Sequence, residues 1–226
     1  MIVSISQPTL FPWLGYFNII KNSDIFVFLD NVKFEKRSWQ MRNRLKATVN
    51  TDKSEEWVRI PTQLKKSDTL IKDVIIDNTQ DWKARHITSF RTHYGKAYEN
   101  LNFLRNIYEQ EWTKLSDFNI KFITDCCNFL EINTEFMMAS QLPVSGKKGQ
   151  LMLNICDHLS TTEYLTTVGS RNYLENYASQ FVKSNIKISY HGFQHPIYKQ
   201  KGGEFLPNMS ILDLLFNEQE NSKHFV

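Results

Sequence analysis

Several stretches of the chain carry side chains from which a small-molecule site can be built. DNVKFEKRSWQMRNR (residues 30–44) places Asp30 at the end of an apolar run, followed by Arg37, Trp39, Arg42 and Asn43. Guanidinium forks match phosphate and carboxylate oxygens, and an indole face suits a ring. A basic surface loop whose Trp39 tucks into the core has the same composition, and spacing alone does not separate the two. QPTLFPWLGY (residues 7–16) contributes Gln7 and Trp13. SQLPVSGKKGQ (residues 140–150) sets Lys147 and Lys148 between Gly146 and Gly149 at an expected helix start, where backbone N–H groups attract anions. The plainer alternative is a solvated lysine pair. GSRNY (residues 169–173) adds Arg171.

Near the C-terminus, FQHPIYKQ (residues 193–200) holds His195 beside Pro196, Tyr198 and Gln200 in a non-helical stretch. An imidazole so placed suits a general base, although a lone histidine is more often structural. The GxSxG elbow, the HExxH motif, the P-loop spacing and the GxGxxG fingerprint are all missing, which disfavours hydrolase, zinc-protease and dinucleotide chemistry. No metal site is expected. The three cysteines, Cys126, Cys127 and Cys156, have no CxxC spacing and leave one thiol over in any pairing, as in a reducing compartment.

The elements that position these groups follow from hydropathy period. MIVSIS (residues 1–6) and DIFVFLD (residues 24–30) are apolar runs of strand length. Between them, Pro8 and Pro12 enforce a loop before a short helix through Phe17 and Ile20. Strand, loop, helix and strand make a βαβ unit, so the sheet should be parallel. Residues 57–61 and 71–76 read as further strands with a turn at LKKSD between them. Residues 79–131 read as mainly helical; Leu115, Phe118, Phe122, Cys126 and Phe129 form one apolar stripe, so the cysteine pair belongs to core packing. Alternation then resumes, with strands at 134–139, 163–167 and 186–190 and helices at 147–159 and 170–181. SILDLLF (residues 210–216) closes the chain as a helix capped by Ser210. The expected fold class is α/β, a mostly parallel Rossmann-like sheet with a helical lobe. The chain reads as one domain over residues 1–226 with a mainly helical insertion at about 79–131. In such sheets ligands bind beyond the carboxyl ends of the strands, where the polar stretches above fall.

Aromatic residues make up 13% of the chain, and part of that excess is available for stacking on a ring. The net charge of +3 is too mild for a nucleic-acid coat and fits a small anionic substrate. No apolar run approaches the roughly 18 residues of a membrane span, and the N-terminus lacks the pattern of a secretory signal, so a cytoplasmic location is expected.

Taken together, QPTLFPWLGYF, DIFVFLDNVKFEKRSWQMRNRLK, FQHPIYKQ and FLPNMSILDLLFN resemble, in order and over nearly the whole chain, the WbqC-like family. One departure is Glu218, where the family commonly has glycine after the final LLFN. The resemblance implies a role in O-antigen or other surface-polysaccharide synthesis. The expected activity is transfer of an acyl or aminoacyl group to the amine of a nucleotide-linked amino sugar. In that scheme His195 and Asp30 are catalytic. Gln7, Trp13, Arg37, Trp39, Arg42, Asn43, Lys147, Arg171, Tyr198 and Gln200 bind substrate. No tightly bound cofactor is expected, the acyl donor being a thioester such as one of coenzyme A. The expected partner is a nucleotide sugar, with an oligomer possible. A nucleotidylyl-transfer enzyme and a non-catalytic nucleotide-sugar-binding protein are the alternatives.

Overall fold

The computed structural model describes residues 1–49, 54–63 and 68–226. Its strands are β1 (Ile2–Ser6), β2 (Ile25–Phe28), β3 (Arg42–Lys46), β4 (Glu55–Arg59), β5 (Thr62–Gln63), β6 (Ile75–Ile76), β7 (Glu135–Met138), β8 (Glu163–Thr167) and β9 (Lys187–His191). Its helices are α1 (Leu14–Lys21), α2 (Trp82–Tyr94), α3 (Asn102–Glu109), α4 (Leu115–Phe129), α5 (Gly149–His158), α6 (Arg171–Leu174), α7 (Ala178–Lys183) and α8 (Ile211–Glu218). The turn expected over LKKSD lies, apart from Asp68, outside the described residues. Contacts divide the chain into two compact units.

The first unit comprises Met1–Gln7, Asn18–Asn31 and Asn133–Gln194. It holds a five-stranded sheet in the order β7-β2-β1-β8-β9, with every neighbouring pair parallel. The Rossmann-like α/β class read from the sequence is what the structure shows. β2 is buried at all four positions, as a central strand covered on both faces must be. Phe28 stacks on Phe136 of β7 with ring centres 5.4 Å apart. Strand order reverses between β1 and β8, and their pairing covers only Ile2–Glu163 and Val3–Tyr164. One residue further on, the Ser4 hydroxyl donates to the Leu165 carbonyl at 2.8 Å, a side-chain bond where ladder pairing has ended. The helix expected at 170–181 is instead two short helices, α6 and α7, parted by a 3-10 turn at Glu175–Tyr177. That turn lays the Tyr177 ring against Gly149 so closely that a Cβ there would meet it at 2.3 Å.

The second unit comprises Pro8–Phe17, Val32–Ile132 and His195–Val226. β3 and β4 pair antiparallel. The segment that looked like a polar loop is thus partly a strand. Asn43 and Leu45 point to the core, while Arg42 and Arg44 on the other face hid the period-two pattern. The expected strand at 71–76 reduces to β6, preceded by a 3-10 turn at Ile71–Asp73. The helical stretch forms α2, α3 and α4. Phe11 is fully buried and meets Phe90, Phe118 and Phe122 edge-on at 6.3, 6.0 and 4.8 Å. Cys126 and Cys127 are buried on α4, as the stripe indicated. Burial drives both thiols up, and that of Cys156 in the first unit is pushed up to about 12, so none of the three supplies a thiolate near neutral pH.

Candidate functional site

Two buried amides fix the first wall of the site. The Asn43 side chain donates to the carbonyls of Leu10 and Phe11 at 2.9 and 2.8 Å, and Asn119 donates to those of Pro8 and Gln40 at 3.1 and 2.8 Å. Proline-rich backbone that cannot pair within itself is thereby satisfied, and Phe11 is held at a φ of +44°. The loop then turns into α1 through Gly15. A Cβ on Gly15 would meet the Trp13 ring at 2.3 Å, so the indole lies flat over this glycine. A single antiparallel bridge joins Trp13 to Ser210, while Ser210 N–H donates to the Arg44 carbonyl and Ile211 N–H to that of Pro12. First loop, β3 and C-terminal turn therefore converge.

Where they converge, a cavity of about 430 Å³ opens, lined by Thr9, Pro12, Trp13, Tyr16, Trp39, Asn43, Arg44 and Asn208. Trp39, in the turn before β3, stacks on Trp57 of β4 with ring centres 5.6 Å apart and planes at 27°. Trp39 is 48% exposed and Trp57 45%, a large area of indole left in solvent. Arg44 lies 5.5 Å from the Trp39 ring and Arg42 4.4 Å from that of Trp57. Glu55 accepts from Arg44 at 2.7 and 2.9 Å and fixes its guanidinium while balancing its charge. The result is an aromatic cradle edged by cations and amides, a setting for a polar ring carrying negative charge.

Tyr198 and Gln200 have a different partner. The Asp213 carboxylate, fully buried on α8, accepts from the hydroxyls of Tyr94 and Tyr198 at 2.7 Å each and from the Gln200 amide at 2.6 Å. Gln200 also exchanges bonds with Leu206, and the buried Lys46 donates to the Glu204 carbonyl, so this network anchors the C-terminal segment. Burial and the Asp213 charge raise the pKa of both tyrosines, which stay protonated donors. The neighbouring His195 is half-buried, with ring centres 6.1 Å from Tyr198 and 5.7 Å from Phe205. Its Nδ1 lies 2.8 Å from the Pro196 carbonyl, which can only accept, so Nδ1 carries a proton. His195 is not among the residues lining the cavity around Trp39.

Of the residues selected from sequence, Trp13, Trp39 and Asn43 line that cavity, and Arg42 edges its aromatic wall. Arg37 is exposed in the preceding turn at a φ of +61°. Asp30, Gln7, Lys147 and Arg171 belong to the first unit. There Asp30 is buried and accepts from the backbone and hydroxyl of Ser140 at 2.8 and 2.6 Å, tying the end of β2 to the turn after β7. Lys147 is exposed before α5, and Arg171 lies 4.7 Å over the Tyr190 ring. Sequence reasoning passed over Tyr16, Arg44, Trp57 and Asn208. Arg44 was discoverable as the next outward residue of an RNR alternation; Trp57 required knowledge of the strand register.

The fold is that of a Rossmann-like α/β protein, and its candidate site is a cavity walled by aromatic rings and edged by arginine. The chain belongs to the WbqC-like protein family, whose model matches residues 7–225. It is 32% identical over 223 residues to an uncharacterized protein of Mycobacterium tuberculosis, Rv1507c, a match covering 95% of this chain and 93% of that one. No solved structure matches. Among the described residues no helix is long and apolar enough to cross a membrane.

Proposed function

We propose that the protein binds a nucleotide-linked amino sugar in the tryptophan–arginine cradle and transfers an acyl or aminoacyl group to the sugar amine, in the synthesis of a surface polysaccharide. The observation that carries the binding part is the cavity of about 430 Å³ walled by Trp13, Tyr16, Trp39 and Arg44. Stacking faces suit a sugar or base ring, Asn43 and Asn208 supply polar edges, and the flanking arginines suit phosphates. The polysaccharide context comes from the family. In the transfer an amide C–N bond forms as the thioester C–S bond breaks. The sugar ammonium loses its proton to a base, and the donor leaves as a thiol. His195, which lies outside the lining of the cavity, is the base proposed for this step, acting on an amine that reaches beyond it. Incubation of the protein with nucleotide amino sugars and acyl thioesters, followed by mass spectrometry, should show amide product and free thiol in equal amounts. Wild-type turnover by His195→Ala would remove His195 from the scheme, and no product from any pair would remove the transfer.

A second reading is a non-catalytic carrier of the same ligand. It is favoured by the half-buried imidazole packed between Tyr198 and Phe205, an arrangement that serves anchoring as well as catalysis. Binding without turnover would select it.

A further inference from the structure

Across the β3–β4 ladder, Arg42 stands directly opposite Arg59. Directly opposed residues on antiparallel strands share a face, with Cβ atoms about 5 Å apart, and like charges so placed repel. Neither arginine makes an ion pair with a described residue. The next pair along this face is Arg44 with Trp57, and the next Lys46 with Glu55. One carboxylate therefore faces four cations, and Glu55 is already held by Arg44. Arg42 is fixed over the Trp57 ring at 4.4 Å. Arg59 and Trp57 both line a second cavity, of about 560 Å³, whose wall also includes Arg85. The acids on that wall are engaged: Glu56 accepts from Ser89 at 2.7 Å and pairs with His93, and Asp81 caps α2 through Ala84 N–H.

We propose that Arg42 and Arg59 form a clamp for a diphosphate group, with Trp57 as its floor. Cross-strand register sets the two guanidinium forks on one face of the ladder, where each can bind one phosphoryl group although Arg59 alone of the two lines the second cavity, and the bound anion cancels the repulsion that the empty ladder carries. This names where the anionic part of the ligand goes, so it rests on reading the stacked tryptophans as a nucleotide-sugar cradle. A sugar nucleotide would stack its ring on the indoles and place its diphosphate over the hairpin.

Inorganic pyrophosphate, which has neither base nor sugar, tests the clamp alone. Calorimetric titration of the full chain should show saturable binding that weakens steeply with added salt. Arg59→Gln and Arg42→Gln should each weaken it about tenfold or more, consistent with loss of a charge-assisted contact. The melting temperature supplies a readout independent of binding. Each single substitution should leave the ligand-free value unchanged or raise it, because one of two opposed charges is gone, whereas pyrophosphate should raise that of the wild type by more than that of either variant. Equal pyrophosphate affinity in wild type and Arg59→Gln would overturn the clamp. Pyrophosphate binding that depends on both arginines, with no nucleotide sugar bound, would leave the clamp standing and refute the cradle. Sugar-nucleotide binding that depends on Trp39 but not on Arg42 or Arg59 would do the reverse.

Discussion

Trp39, in the turn before β3, and Trp57 of β4 lie face to face with ring centres 5.6 Å apart, each nearly half exposed. Exposed stacked indoles gain little from the fold they decorate, and in the proposed function they serve as the surface that a ligand covers.

Trp39→Ala should therefore weaken sugar-nucleotide binding by about tenfold to a hundredfold, the range expected for losing one stacking face. Thermal stability should change little. Calorimetry and a melting curve on the same preparation separate the two effects.

Gly15→Ala should reverse the usual order of stability and function. In the first turn of α1 an alanine is favoured over glycine by up to about 1 kcal/mol. The new Cβ would meet the Trp13 ring at 2.3 Å, and the indole must swing away from the cavity wall. Equal or higher stability to urea with reduced ligand affinity is the expected outcome.

The parallel sheet was legible because its strands are short, apolar and separated by clear breaks. IFVF announces a strand buried on both faces, and all four of its residues are buried. The cradle was half legible. Trp39 and Arg42 stood out by type, but Trp57 comes within reach only through the register that sets it opposite Arg44. Nothing local in the sequence encodes that register. Tyr198 and Gln200 were conspicuous for a different reason: a buried carboxylate needs donors, and they supply two of the three that Asp213 accepts.

Asp213→Asn should destabilise the protein by roughly 3 kcal/mol, because an amide cannot accept all three bonds and bonds to a charged acceptor are the stronger kind. Tyr198→Phe, which leaves the carboxylate two donors, should cost about half as much. Urea unfolding at neutral pH measures both.

His86 sets a pH dependence. Tyr108 lies 2.8 Å from its Nδ1 and the Arg59 carbonyl 2.9 Å from its Nε2, so the ring is neutral with its proton on Nε2 and Nδ1 accepts from the tyrosine hydroxyl. Burial holds its pKa at about 4, against an ordinary 6.5. Below pH 6.5 the unfolded chain takes up a proton that the folded chain refuses, so stability falls as pH drops towards 4. The total loss is on the order of 3 kcal/mol. His86→Gln can keep both bonds and should flatten this part of the pH–stability curve; an unchanged slope would assign it to other groups.

The cradle itself is tested most directly by titrating the full chain with a nucleotide-linked amino sugar while following tryptophan fluorescence. Saturable quenching in the wild type, lost in Trp39→Ala and retained in a variant such as Lys121→Ala, whose side chain pairs with Asp125 on α4, is the predicted result. A flat titration across uridine-, guanosine- and thymidine-linked sugars, or quenching that survives removal of Trp39, would contradict it.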